Sequence, residues 1–161
     1  MHPTERGIAT KGYVRWFDKK WGKEKREQKW IKLLIMVGVR TQIITAAEVT
    51  PGSMHDSPFL PGMVESTTKN FTMREVSADM GYLSRKNLRA VVKLGAEPLI
   101  PFMSRSRSNP ADPPWSRLFA YYTFNREEFM GKYHKRSLSE TTFSAIKRVL
   151  GAKSYNGQVA P

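Results

Sequence analysis

The stretch WIKLLIMVGVRTQIITAAEVT, from Trp30 to Thr50, holds two runs rich in β-branched residues that meet around Arg40 and Thr41. Such residues pack well on a pleated surface, so the pair reads as a hairpin of buried strands. Neither run alternates apolar with polar, which calls for cover on both faces. Downstream, TPGSMHDSPFLPG (Thr50 to Gly62) carries three prolines and two glycines and reads as a surface loop. The segment FTMREVSAD ends in a short strand, VSA. In GYLSRKNLRAVVKLG the spacing then predicts a helix with Leu83, Leu88, Val91 and Val92 inward and Arg85, Lys86 and Arg89 outward. Gly95 closes that helix as a C-cap.

EPLIPF forms a further strand between Pro98 and Pro101, at an edge position. SRSRSNPADPPW is a linker with little to pack, and helices come next at about Trp115 to Met130 and Tyr133 to Leu150. Upstream, the basic opening segment contains a strand at Tyr13 to Phe17. The order strand, strand, strand, helix, strand, helix gives an α/β domain with a mixed sheet whose strand carboxyl ends face the functional crevice.

With 161 residues and 40% hydrophobic content, the chain can bury a core. Its 27 Lys and Arg face 14 Asp and Glu, and a formal charge of +13 makes a polyanion, nucleic acid first, the expected partner. There is no cysteine, which excludes disulfides and thiolate metal sites, and His2, His55 and His134 lack zinc spacing. The longest apolar run, Leu33 to Val39, is too short to span a bilayer, so no membrane partner and a cytoplasmic location are expected.

In the last predicted helix Tyr133, Arg136, Glu140 and Lys147 fall within an arc of roughly 60°. Beside them Leu138, Phe143, Ile146, Val149 and Leu150 form an apolar face. Helical spacing alone favours a solvated face with an Arg136–Glu140 pair. Asp79, at the carboxyl edge of VSA before Gly81, adds a second acid, although it also suits an Asx-turn or N-cap. Two carboxylates of this kind could hold Mg²⁺ together with substrate phosphates.

The pattern Y-x2-R-x3-E-x6-K at Tyr133, Arg136, Glu140 and Lys147, with ADMGY around Asp79, resembles the DDE transposases of the insertion-sequence type. GYVRWFDKKWG, HDSPF and NREEFMGKYHKRSLSETTFSAIKR resemble further blocks of that family. The resemblance implies a ribonuclease-H-like core in which two aspartates and a glutamate hold two Mg²⁺ or Mn²⁺ ions and act on DNA. Asp79 would be the second aspartate and Glu140 the glutamate, both catalytic and metal-binding, while Tyr133, Arg136 and Lys147 would contact the DNA strand.

Thr4 stands where the family has its first aspartate, and the neighbouring Glu5 belongs to the opposite strand face. Asp18 and Asp56 are not assigned that role. The expectation is therefore a truncated or decayed copy, lacking its first core strand, with family membership but no strand transfer by this chain alone. Residues 1–28 would be a basic remnant, 29–151 a partial catalytic core and 152–161 a polar tail, and a homodimer is a candidate assembly. Without that strand a hairpin edge would lie open to association. The rival functions are a non-catalytic nucleic-acid binder, using SRSRS, Arg85, Lys86 and Arg89, and a metal-dependent nuclease.

Overall fold

A computed structural model describes residues 2–9 and 30–150. The hairpin forms, but only one of its strands is buried: β2 (Trp30–Val37) and β3 (Ile44–Pro51) run antiparallel, with Ile31 opposite Pro51 and Met36 opposite Ala46, and most of β3, Ile44 and Val49 included, is exposed. Its turn closes through Gly38, whose amide donates to the Ile43 carbonyl (2.9 Å) and whose carbonyl accepts from Gln42 (2.7 Å). A Cβ at Gly38 would lie 2.5 Å from the Thr41 hydroxyl, so a side chain there would turn Thr41 to another rotamer.

The expected loss of the first core strand is wrong. His2–Ala9 forms β1, antiparallel to β2 along its whole length, with Thr4 opposite Ile35 and Glu5 opposite Leu34. A polar strand is held here by the backbone ladder of an apolar neighbour, a cause that its own composition does not reveal. The β2 edge is therefore covered, which removes the basis for association through it. The Tyr13 to Phe17 segment and Asp18 lie outside the described residues.

The loop expected up to Gly62 ends sooner. After a 3-10 turn at Ser57–Phe59, α1 (Leu60–Thr68) begins with Pro61 in its first turn, where the missing amide hydrogen costs nothing. Then β4 (Glu75–Ser77), a 3-10 turn (Met80–Tyr82), α2 (Arg85–Lys93) and β5 (Glu97–Leu99) make a parallel crossover, with Val76 opposite Pro98. Ser84 caps α2 by accepting from the Asn87 amide (3.1 Å). At the other end Gly95 takes φ 76°, its amide bonding Val92 and the Ala96 amide bonding Val91, the Schellman arrangement that glycine permits.

The single mixed sheet is thus divided into two ladders, β1-β2-β3 antiparallel and β4-β5 parallel, with β1 coming within 8 Å of β4 between Cα atoms. The α/β class stands. Leu34 and Met36 of β2 join a large core with Leu60, Met63, Val76, Leu88, Leu99 and Phe129, while Ile35 and Val37 pack with Phe143 in a second cluster. Both faces of β2 are covered, as its unbroken apolar run demands.

Three helices complete the described chain: α3 (Pro113–Phe124), α4 (Arg126–His134) and α5 (Leu138–Leu150), with a 3-10 turn at Lys135–Ser137. The expected break near Gly131 is displaced to Asn125, where φ −117° and ψ 45° leave the helical region. Leu138 and Val149, expected inward, are exposed, as is Val92. The linker also packs more than its composition implies. Asp112 is buried, and Trp115, set edge-on against Phe102 at 5.0 Å, donates its indole hydrogen to the Arg107 carbonyl (2.9 Å).

Candidate functional site

The ladder between β4 and β5 extends one residue further, with the Ala78 amide donating to the Leu99 carbonyl (3.3 Å), and delivers the chain to Asp79 at the surface. Asp79 is extended (φ −67°, ψ 159°), and its side chain accepts from the Met80 amide at 2.6 Å, capping the 3-10 turn. That uses Oδ1. The other oxygen, Oδ2, lies 4.0 Å from Nη1 of Arg136, and the Asp79 side chain remains 63% exposed. The capping role and the role of an exposed acid at a strand's carboxyl end are thus held by one residue, one oxygen each.

Arg136 reaches Asp79 because α4 packs against β5, the strand paired with β4. Phe129 is fully buried, and Tyr133, one turn on, stacks over it at 6.2 Å with 17° between the rings. The Arg136 guanidinium carbon sits 5.4 Å from the Tyr133 ring centre, within cation–π range. Burial raises the Tyr133 phenol above its ordinary value; the Asp79 charge adds to this and Arg136 opposes it. The phenol therefore keeps its proton at neutral pH and is a hydrogen-bond donor there.

Tyr133, Arg136, Glu140 and Lys147 do not share one helix. Tyr133 lies in the last turn of α4, Arg136 is in the 3-10 turn, and Glu140 and Lys147 belong to α5. The polar line required uninterrupted α-helical turns, and the tighter turn at Lys135–Ser137 rotates the residues after it. Among the described residues no ion pair joins Arg136 to Glu140, and Arg136 turns to Asp79 instead. Contacts gather Asp79, Tyr133 and Arg136. None brings Glu140, which is exposed in the first turn of α5, into that group. The side chain of Lys147 lies outside the described residues. Asp56, to which the sequence assigns no catalytic role, pairs with Lys32 at 3.2 Å.

Sequence reasoning missed a second charged centre on the same helix. Lys132 Nζ stands 3.2 Å from Glu128, 3.7 Å from Glu75 and 3.7 Å from Glu97. Glu75 and Glu97 are directly paired across β4 and β5, so two like charges are held together by the lysine between them. Tyr121 donates to Glu128 at 2.9 Å, and Lys132 also lies over the Tyr121 ring. Lys132 is held above the ordinary lysine range, chiefly by its bond to Tyr121, with Glu128 and Glu97 adding to it against the opposing effect of burial. The Glu128–Lys132 spacing was readable as an i,i+4 pair. The strand glutamates became visible only with the register.

A protein-family model for the transposase DDE domain matches residues 4–159. The chain belongs to that family. No solved structure matches it. Among the described residues no helix is long and apolar enough to cross a membrane.

Transposase DDE domains generally use divalent metals. Mg²⁺ needs at least one or two carboxylates and completes its shell with water and substrate phosphate. No three Asp, Glu, His or Cys side chains gather among the described residues, and the Asp79 oxygen not engaged in capping faces a guanidinium.

Proposed function

We propose that this transposase DDE domain binds DNA through Arg136 and Tyr133 and does not by itself complete metal-dependent cleavage and strand transfer. Asp79 and Glu140 take the second-aspartate and glutamate positions of a ribonuclease-H-like core, and Lys147 is a further phosphate contact. The observation that carries this reading is the meeting of Arg136, Tyr133 and Asp79 where β4 ends. An ion pair at 4.0 Å is weak. A phosphate offers Arg136 two charge-assisted hydrogen bonds of about 2.7–2.9 Å. Arg136 therefore exchanges a distant carboxylate for a close phosphate. The neutral Tyr133 phenol donates to the same strand, and its ring supports the guanidinium from beneath. Asp79 stays fixed by the Met80 amide throughout.

The incompetence for chemistry stems from the donor set. Thr4, opposite Ile35 on β1, stands at the position where the resemblance expects the first aspartate, and a hydroxyl does not supply its charge. The test is incubation of the purified chain with supercoiled and linear DNA in Mg²⁺ or Mn²⁺. The expected outcome is retardation of the DNA without nicks or joined products, and weaker retardation for Arg136→Gln. Efficient cleavage abolished by Asp79→Ala would overturn the reading.

A further inference from the structure

α2 contains no acidic residue, and its four cations lie on one side. At 100° per residue Arg85, Arg89, Lys93 and Lys86 span an arc of roughly 100°, away from the buried Asn87, Leu88 and Val91. Along the axis they cover about 12 Å. All four are exposed.

Two of them are not free to wander. The Asp112 carboxylate, 2% exposed, bonds Arg89 Nη2 at 2.7 Å through Oδ2, and Arg85 Nε stands 3.9 Å from the same oxygen. Oδ1 of Asp112 has no hydrogen-bond partner among the described residues. One buried acid therefore holds two guanidinium groups that remain 61% and 62% exposed, so each fork keeps donors facing outward. Their rotamer freedom is already restricted, which lowers the entropy lost on binding a phosphate. Against four cations stands one carboxylate, leaving a strongly positive strip.

We propose that this face of α2 is a contact surface for the phosphate backbone of duplex DNA, separate from Arg136 and Tyr133. Duplex DNA carries one negative charge per ~1.7 Å of axis with both strands counted, so a strip about 12 Å long, two of its four cations held in place, lies along a stretch of duplex bearing about seven phosphate charges. The four side chains are exposed cations whose donors suit phosphate oxygens, and the proposed contact is indifferent to sequence. It serves to hold the duplex while Arg136 and Tyr133 engage a strand at the end of β4. The inference rests on the reading of the chain as a DNA-binding member of its family.

The experiment measures binding of the full chain to two unrelated duplexes across a salt series. Lys86→Gln/Lys93→Gln leaves the Asp112 pairing intact; its control, Arg40→Gln/Lys69→Gln, removes the same charge from exposed positions elsewhere. The α2 variant should weaken binding to both duplexes about tenfold at moderate salt and reduce the slope of log K against log salt by about 1.8. The control should move neither by more than a third as much. Arg89→Lys, which keeps the charge but loses the fork, should weaken binding without changing that slope. Wild-type binding that the α2 variant leaves unchanged, or that the control weakens equally, would overturn this surface while leaving the DNA-binding reading intact. Failure of the wild type to bind either duplex would overturn both.

Discussion

Lys132 and Arg136 lie four residues apart along α4 and its 3-10 extension, and their strand partners Glu75 and Asp79 lie four residues apart along β4 and its continuation. Four helical residues advance about 6 Å, whereas four extended residues advance about 13 Å. The long Lys132 and Arg136 side chains take up the difference, reaching Glu75 at 3.7 Å and Asp79 at 4.0 Å. The Lys132 end closes, with three carboxylates within 3.7 Å of one ammonium. The Arg136 end stays open at 4.0 Å and meets a single exposed acid. Saturated charge fastens a helix to a sheet edge; undersaturated charge remains available to a ligand.

Removing the support common to the two ends should have the largest effect. Phe129→Ala deletes a fully buried ring beneath Tyr133, and a loss of about 3–5 kcal/mol in urea or thermal unfolding is expected, together with loss of DNA binding. Lys132→Gln strikes only the closed end and leaves Glu75, Glu97 and Glu128 mutually repelling. Because the cluster is partly exposed, about 1 kcal/mol is the expected loss.

The pH dependence of that loss has a definite sign. Lys132 is raised by its partners, so its contribution is fully present below the ordinary lysine value of about 10.4 and disappears as pH rises through the raised one. Glu128 is lowered, first by Tyr121 and then by Lys132, so its contribution is present above about pH 4.3 and disappears as pH falls through the lowered value. Unfolding of wild type and Lys132→Gln should converge at both extremes and differ between them.

Arg136→Gln probes the open end alone. Stability should stay within about 0.5 kcal/mol of wild type, while the salt slope of DNA binding falls by about 0.9. Equal loss of stability from Arg136→Gln and Lys132→Gln would erase the contrast between the two ends. The smallest effect is spectroscopic. Absorbance titration, with Tyr133→Phe identifying the component, should place Tyr133 ionisation above about pH 10, and Arg136→Gln should raise it further by removing the opposing positive charge.

Much of the scaffold was legible because its causes are local. The β2–β3 hairpin comes from two β-branched runs, of which β2 is covered on both faces while most of β3 is exposed, and α2 from Ser84 at its start and Gly95 at its end. The features that escaped depend on distant partners. β1 is polar and is drawn into the ladder by β2, and α1 was hidden by Pro61 and Gly62, which read as loop residues although a first turn tolerates them. Gly131 invited a helix break, yet packing of Phe129 and Tyr133 outweighs the ~1 kcal/mol that glycine costs, and the break fell at Asn125. At the site, the family pattern found Asp79, Tyr133 and Arg136 together. It gave no warning of the 3-10 turn that sets Glu140 on another helix, because Lys135, Arg136 and Ser137 contain neither Pro nor Gly.

That turn assigns the two acids to different foundations. Asp79 rides on the parallel strand pair and the large core beneath it, whereas Glu140 is carried by α5, anchored through Phe143 to Ile35 and Val37 on the other side of β2. β2 thus stands as a partition wall between the two packed clusters on which the acids are founded. Conservative replacements at Ile35 or Val37 alter the footing of α5 without touching the large core beneath Asp79.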